Sequence, residues 1–390
     1  MSLRPAFVGW LLALVLAAPA LAQDAAAARV EALFTQKIES RWFAPSFLKQ
    51  VPAAQVGAIV RRLAGQLGAF EGVRPEGAGY AAVFEKGEVP VRITLDAQGR
   101  IAGLFFGPPR PRFASLADAQ KKMAALPGKK SLLVLKNDEV LAALDPDARL
   151  AVGSAFKLSV LAALLDQIEA GALAWDEVVP LENAYRSLPT GALADWPAGT
   201  PVTLASLAGR MIAESDNTAT DHLIHLLGRE RVEVYAYANV PLLTTRAAFV
   251  IKANPDLARR WRESSASERR KIVADAERRP LPTARQLFAA PPAPEVEWFY
   301  SVRELCELTQ RAADTPLAGI NPGLARREAW RRVVYKGGSE PGVLNLTTLL
   351  EDDAGTRYCV AATWNAEELD ENALFGLYGA VLELLARERP

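Results

Sequence analysis

The sequence predicts a mixed α+β (or α/β) protein in two folded parts behind a short leader. Three observations carry this. Helical and strand periodicities alternate along most of the 390 residues. A cluster of prolines near residue 110 interrupts them. Three short polar motifs, Ser154-Ala155-Phe156-Lys157, Ser215-Asp216-Asn217 and Lys336-Gly337-Gly338, all fall after that interruption.

The leader comes first. Arg4 supplies a positive charge, Phe7 to Leu16 an apolar core, and Ala20-Leu21-Ala22 a small-residue cleavage site, so residues 1–22 read as a secretory signal cut after Ala22. The apolar run is too short for a membrane span. The expectation is a periplasmic or secreted protein without stable membrane insertion. The remainder is longer than one compact domain usually holds.

Residues 25–108 read as a small α+β domain. Ala26 to Phe34 and Ala53 to Leu67 carry apolar residues at helical spacing. Tyr80 to Phe84, Val89 to Leu95 and Ile101 to Phe106 read as strands, joined by Glu85-Lys86-Gly87-Glu88 and Asp96-Ala97-Gln98-Gly99, which have hairpin chemistry. Pro108-Pro109-Arg110-Pro111 then predicts a stiff linker over residues 109–112.

A second domain is expected over residues 113–388. Lys130 to Leu135 and Glu139 to Leu144 form a hairpin around Lys136-Asn137-Asp138. Ser154 opens a helix striped by Leu158, Leu161, Leu164, Leu165 and Ile168, ending at Gly171. A mostly helical block runs from Leu204 to Leu308. Strands follow at Val333 to Tyr335, Leu344 to Glu351 and Tyr358 to Asn365, and a helix from Leu374 to Arg387 closes the chain. No internal repeat is present.

The motifs suit nucleophilic acyl transfer. A serine hydroxyl needs a base within hydrogen-bond reach, and Lys157 lies one helical turn after Ser154, on the same face. To accept a proton the lysine must be neutral, which burial and a second cation favour; Lys336 is the natural second cation. Ser154 at a helix start also aims backbone N–H groups at a developing oxyanion. Ser46-Phe47-Leu48-Lys49 fits the same spacing, but Pro45 and Pro52 bracket it and no long helix continues from it. In Ser215-Asp216-Asn217 a hydroxyl can relay a proton and an amide can hold a carbonyl or Lys157, while Asp216 suits fixing the loop. After the apolar run Val333-Val334-Tyr335, the glycines of the third motif let a substrate lie close to the strand.

Other chemistries are poorly supplied. Lys plus Arg and Asp plus Glu both number 45, so no net charge points to nucleic acid. The Arg-rich stretch 259–279 is interleaved with acids and reads as a solvated face. His222 and His225 are the only histidines and lack a third ligand, so neither a metal nor any other cofactor is expected. Cys306 and Cys359 are the only cysteines; export permits a disulfide, and the sequence leaves pairing open.

On these residues the chain resembles the serine β-lactamase and penicillin-binding superfamily, closest to class A, over roughly residues 113–388. Trp196-Pro197 to Leu204 and Ser215-Asp216-Asn217-Thr218-Ala219-Thr220-Asp221 also look like exported serine hydrolases. The resemblance implies an antiparallel sheet flanked by helices plus an all-helical subdomain. It implies Ser154 as the acylated nucleophile, Lys157 as its base and Ser215 as proton shuttle. Asn217 would contact substrate and lysine, Lys336 would anchor a substrate carboxylate, and Gly338 would let the substrate approach. The Ser339 amide, with that of Ser154, would form the oxyanion hole. The preceding helices-then-meander order is similar to cone-like ketosteroid-isomerase-like domains.

Two departures stand out. Gly337 occupies the place where threonine is usual, and no Glu-x-x-Leu-Asn occurs between Asn217 and Lys336, where class A enzymes keep a deacylating glutamate. Asp256, Glu263 and Glu297 are the candidate replacements. The expected function is therefore an exported serine hydrolase with slow deacylation, acting on a small-molecule β-lactam, ester or amide. A muropeptide DD-peptidase and a penicillin-binding protein without turnover are the alternatives.

Overall fold

The structure is a computed structural model that describes residues 25–388; the expected signal peptide lies outside them. The described chain forms two compact units. One comprises the residues up to Ala114 together with Asn372–Val381; the other comprises Ser115–Glu371 and the residues from Leu382.

In the small unit, helix α1 (residues 25–35) precedes α2 (Pro45–Leu48) and α3 (Ala53–Leu67). Strands β1 (Phe70–Glu76), β2 (Gly79–Phe84), β3 (Gly87–Leu95) and β4 (Ile101–Phe106) form an antiparallel sheet in that order. Its apolar face is aromatic: Phe34 stacks on Phe70 at 5.2 Å and meets Phe84 and Phe106 edge-on. Strand β1 had no counterpart in the sequence reading. Gly72 and Pro75 obscure its alternation, and the pairing register shifts between Phe70 and Gly72.

The expected linker needs correcting. Arg110–Pro111 is a short strand, β5, paired with Gly87 and Glu88 of β3. Arg110 bonds Glu76 at 2.7 Å and Glu88 at 3.3 Å, and Arg74 bonds Glu88 at 3.0 Å. These partners, invisible to composition, turn a proline-rich stretch into a tied edge strand. The middle of the last helix also belongs to this unit. A Cβ on Gly376 would collide with the Pro109 carbonyl, so only glycine permits that approach.

The large unit begins with α4 (Leu116–Ala124), the hairpin β6 (Lys129–Lys136) and β7 (Glu139–Leu144), and the short β8 (Leu150–Ala151). A 3₁₀ turn over Gly153–Phe156 leads into α5 (Lys157–Glu169). Helix proper thus starts at Lys157 rather than Ser154. The small strands β9 (Val178–Pro180) and β10 (Pro201–Thr203) pair before the helical block. That block contains α6 (Leu204–Ala213), α7 (Asn217–Leu227), α8 (Arg229–Glu233), α9 (Thr245–Lys252), α10 (Pro255–Glu263), α11 (Ala266–Arg278) and α12 (Ala284–Ala289).

Strand β11 (Phe299–Tyr300) pairs with β8, and α13 (Val302–Arg311) follows. Strands β12 (Arg332–Glu340), β13 (Val343–Glu351) and β14 (Arg357–Asn365) complete an antiparallel sheet in the order β12-β13-β14-β6-β7, and α14 (Glu371–Arg387) ends the chain. The result is an antiparallel sheet flanked by helices, with an all-helical block, as the sequence predicts.

Helix α5 is buried on nearly every face from Lys157 to Leu165. It runs through one apolar core shared by α6, α7, α9, α11 and α13, so its head is held rigidly. Cys306 of α13 and Cys359 of β14 form a disulfide that staples that helix to the sheet. Among the described residues no helix is long and apolar enough to cross a membrane.

Candidate active site

The structure places the three motifs around one point. Val152 donates its N–H to the Trp298 carbonyl at 3.0 Å, and Phe156 stacks on Trp298 with ring centres 4.0 Å apart. These contacts fix the turn carrying Ser154 from both sides. Against that turn lies β12. A Cβ on Gly338 would sit 2.6 Å from the Ser154 nitrogen and 2.8 Å from that of Ala155, and would run into the Val152 carbonyl. Glycine is therefore a requirement of the approach. The Ser339 nitrogen is 3.2 Å from where a Cβ on Gly153 would stand, which brings the Ser339 and Ser154 amides to one narrow gap. The Ser339 hydroxyl is not part of this; it donates to Glu371 at 3.3 Å.

Lys157 is fully buried. Its Nζ is 2.5 Å from the Ser215 carbonyl, 3.1 Å from Ser215 Oγ and 2.7 Å from Asn217 Oδ1. Burial, and then the Lys336 cation, hold the Lys157 ammonium well below the ordinary lysine range, against the pull of Asp221, Asp216 and Glu340. A neutral amine has two N–H donors and one lone pair. Two of its three contacts can then accept N–H from Nζ, while Ser215 O–H donates to the lone pair. Ser154 Oγ is not among the three partners. Catalytic hydrogen bonds of this kind often tighten only when substrate is bound.

Lys336, on the far side of Ser215, donates to Ser215 Oγ at 3.2 Å and to the Gly337 carbonyl at 2.5 Å. Burial pulls its pKa down to about 7. The Ser215 hydroxyl thus bridges two lysines of weakened basicity, the arrangement a proton relay needs.

Ser215 reaches this position through strain. Its φ is 58°, in the left-handed region that non-glycine residues seldom occupy. The surroundings hold it there. Thr190 Oγ1 donates to the Ser215 carbonyl at 2.6 Å, and buried Asp216 accepts from Ala219 N at 2.8 Å and Leu193 N at 2.9 Å. Asp216 is thus both the cap of α7 and the anchor of the facing loop. Asn217 Nδ2 donates to the Leu188 carbonyl at 3.0 Å, aiming its oxygen at Lys157.

Asp221 had no assigned role in the motif reading. It accepts from Thr245 N, Thr245 Oγ1 and Arg246 N at 2.7–2.9 Å, tying α7 to the start of α9. Burial pushes its pKa up to about 7. Its spacing in Ser215-Asp216-Asn217-Thr218-Ala219-Thr220-Asp221, one turn after the motif, was the available signal.

The other candidates separate clearly. Ser46 and Lys49 are exposed at the end of the four-residue α2, in the small unit. Asp256 lies in water, its side chain 84% exposed, and Glu263 is exposed at the end of α10. Glu297 is buried, with one carboxylate oxygen bonded to Lys252 and the other without a hydrogen-bond partner. Burial opposes the Lys252 charge, but Glu297 and Glu340 outweigh it and raise the Lys252 pKa. His222 accepts from Glu182 N at 2.8 Å and donates to the Thr218 carbonyl, and His225 stacks on Tyr185. Both histidines have structural work. Among the described residues no His, Cys, Asp and Glu cluster could hold a metal.

Residues 116–274, in the large unit, match the family model described as the β-lactamase enzyme family. A solved β-lactamase from Sphaerobacter thermophilus is 21% identical. The match covers 71% of this chain and 99% of that one, with a TM-score of 0.50, and shows the β-lactamase-like fold. A class A β-lactamase from Bacteroides cellulosilyticus also matches, at 17% identity over 70% of this chain and 97% of that one, TM-score 0.47. PBP-A matches at 14% identity over 71% and 99%, TM-score 0.47. No curated protein matches the chain in sequence.

Proposed function

We propose that this β-lactamase-like chain is an exported serine hydrolase that forms an acyl-enzyme on Ser154 with a β-lactam, ester or amide. The observation that carries the reading is the position of Lys157: buried, depressed in basicity, one turn from Ser154 and bonded to Ser215 and Asn217.

Neutral Lys157 takes the Ser154 proton as Oγ attacks the carbonyl carbon. The Ser154 and Ser339 amides receive the oxyanion. As the tetrahedral intermediate collapses, Ser215 passes a proton from Lys157 to the leaving nitrogen or oxygen. Lys336 attracts an anionic group of the substrate.

Deacylation has no comparable apparatus among the described residues. Asp256 and Glu263 face water, and Lys252 engages Glu297. Burial raises the Glu297 pKa in spite of the Lys252 ammonium, so the reading of a long-lived acyl-enzyme rests on the missing Glu-x-x-Leu-Asn between Asn217 and Lys336. This also favours a second reading, a penicillin-binding protein with little turnover. A DD-peptidase acting on muropeptides would use the same site.

Export is proposed on the leader sequence, and the Cys306–Cys359 disulfide suits an oxidising compartment. The small unit is read as a ketosteroid-isomerase-like module on its helices-then-sheet order, with no chemistry assigned.

Intact-mass spectrometry of the mature protein after exposure to a fluorescent penicillin, followed over time, tests the reading. The expected result is a single adduct that decays slowly and is absent from Ser154→Ala. Acylation that survives Ser154→Ala overturns it. Rapid loss of the adduct keeps the acyl-enzyme and refutes slow deacylation.

A further inference from the structure

An exposed threonine grips Ser215-Asp216-Asn217 at both ends. Thr190 lies on the loop facing the motif and is open to water. Its hydroxyl donates to the Ser215 carbonyl at 2.6 Å, across 25 residues of sequence. Its own carbonyl accepts from Asn217 N at 3.1 Å.

The loop is pressed close to the motif on either side of Thr190. A Cβ on Gly191 would collide with the Asp216 carboxylate, and Gly191 has a φ of 89°, so glycine is needed there. The Leu188 carbonyl accepts from Asn217 Nδ2, and Leu193 N donates to Asp216 Oδ2. Those ties hold residues 216 and 217. Among the described residues, the Thr190 hydroxyl makes the loop's one hydrogen bond to Ser215 itself.

That bond falls on the peptide that decides where the Ser215 hydroxyl points. One edge of the Ser215–Asp216 peptide is held by Asp216 N, which donates to the Arg210 carbonyl at 3.1 Å. The other edge is the Ser215 carbonyl, which takes one bond from buried Lys157, at 2.5 Å, and one from Thr190. The Lys157 bond changes whenever Nζ gains or loses a proton, whereas a threonine O–H is a donor throughout. Thr190 is therefore the constant restraint on a strained residue, whose φ of 58° would otherwise relax. Relaxation would carry Oγ away from Lys157, at 3.1 Å, and from Lys336, at 3.2 Å.

We propose that Thr190 is a positioning residue for the proton relay: by holding the Ser215 carbonyl from the exposed loop, it keeps the Ser215 hydroxyl between Lys157 and Lys336. The proposal rests on the Ser154 acyl-transfer reading. In that reading Ser215 takes a proton from Lys157 and gives its own to the leaving nitrogen as the C–N bond breaks. Thr190 moves no proton and acts through Ser215.

The test is a double-variant cycle with benzylpenicillin, the acylation rate constant being read by intact mass. Thr190→Val keeps the shape of the side chain and removes the O–H. Because the side chain is exposed, the fold should survive, which circular dichroism checks. Acylation should slow about 10-fold, less than the ~10²-fold that a misplacement of about 1 Å can cost. Thr190→Ser carries the same donor and should stay within about twofold of the parent. Ser215→Ala should itself slow acylation by about 10²-fold or more. In that background Thr190→Val should cost nothing further, since a residue acting through the hydroxyl loses its effect with it. Binding of benzylpenicillin to the Ser154→Ala protein, read by calorimetry, should not change with Thr190→Val.

Equal losses with and without the Ser215 hydroxyl, or a Thr190→Ser protein as slow as Thr190→Val, would overturn the proposal. A matching loss of affinity would make Thr190 a substrate contact and overturn it as well. If Ser215→Ala is slowed and Thr190→Val is not, the proposal alone fails. If Ser215→Ala acylates at the parent rate, or the parent is never acylated, the relay reading fails and the proposal falls with it.

Discussion

Two Ser-x-x-Lys tetrads occur in this chain, and only one of them has its lysine buried beside a second lysine. Ser46-Phe47-Leu48-Lys49 rides a four-residue helix between two prolines, with its serine and lysine exposed. Ser154-Ala155-Phe156-Lys157 heads a 13-residue helix whose first nine residues are buried. Its lysine touches Ser215 and Asn217 and feels Lys336. On the proposed reading, the same four-residue spacing is inert when exposed to water and reactive when buried beside a second lysine. The spacing supplies reach, and the environment supplies the neutral amine.

Exchanging the serines is the largest way to break the comparison. Ser154→Ala is expected to abolish the penicillin adduct, a drop of about 10³-fold or more, whereas Ser46→Ala leaves adduct formation unchanged in the intact-mass assay. The lysines come next. Lys157→Met should slow acylation by about 10²- to 10⁴-fold, the usual worth of a positioned base, and Lys49→Met should not slow it. Equal effects at the two lysines would show that burial is not the deciding difference.

Gly338→Ala probes the oxyanion gap. Its methyl group would push β12 away from the Ser154 and Ala155 amides, so acylation should fall about 10²-fold through misplacement. Circular dichroism should still report a folded protein. Smallest in its effect on activity is the disulfide. Replacing Cys306 and Cys359 by serine should cost about 2–4 kcal/mol of unfolding free energy in a denaturant titration. Acylation at 25 °C should barely change, because the bridge joins α13 to β14 and touches none of the catalytic groups.

How much of this was legible in the sequence differs from group to group. Motif order brought Ser154, Lys157, Ser215, Asn217 and Lys336 to notice, and the structure brings them together. The glycines of the third motif suggest room for a substrate, whereas what Gly338 admits in the structure is the protein's own Ser154 turn. Proline composition misled at residues 109–112. What decides there is Arg110 pairing with Glu76 and Glu88, and long-range ion pairs leave no local trace. The strand Phe70–Glu76 was hidden by Gly72 and Pro75 for a related reason: its alternation is broken where its pairing slips. The Cys306–Cys359 bridge likewise needed α13 laid on β14 before the two sulfurs could be seen to meet.

The most direct test of the account is the pH dependence of Ser154 acylation, measured as a second-order rate constant with benzylpenicillin methyl ester, which carries no carboxylate. A base works when deprotonated, so the rate should be lost as pH falls through the Lys157 pKa and level off above it. With that pKa held well below its ordinary value, the plateau is predicted to be reached well before the usual lysine range of about 10.4. With benzylpenicillin itself the profile should add a falling limb near pH 7, as Lys336 loses its proton. A rate for the ester that keeps climbing without a plateau to about pH 10 would mean that Lys157 is an ordinary ammonium, and that the buried pocket does not make the base.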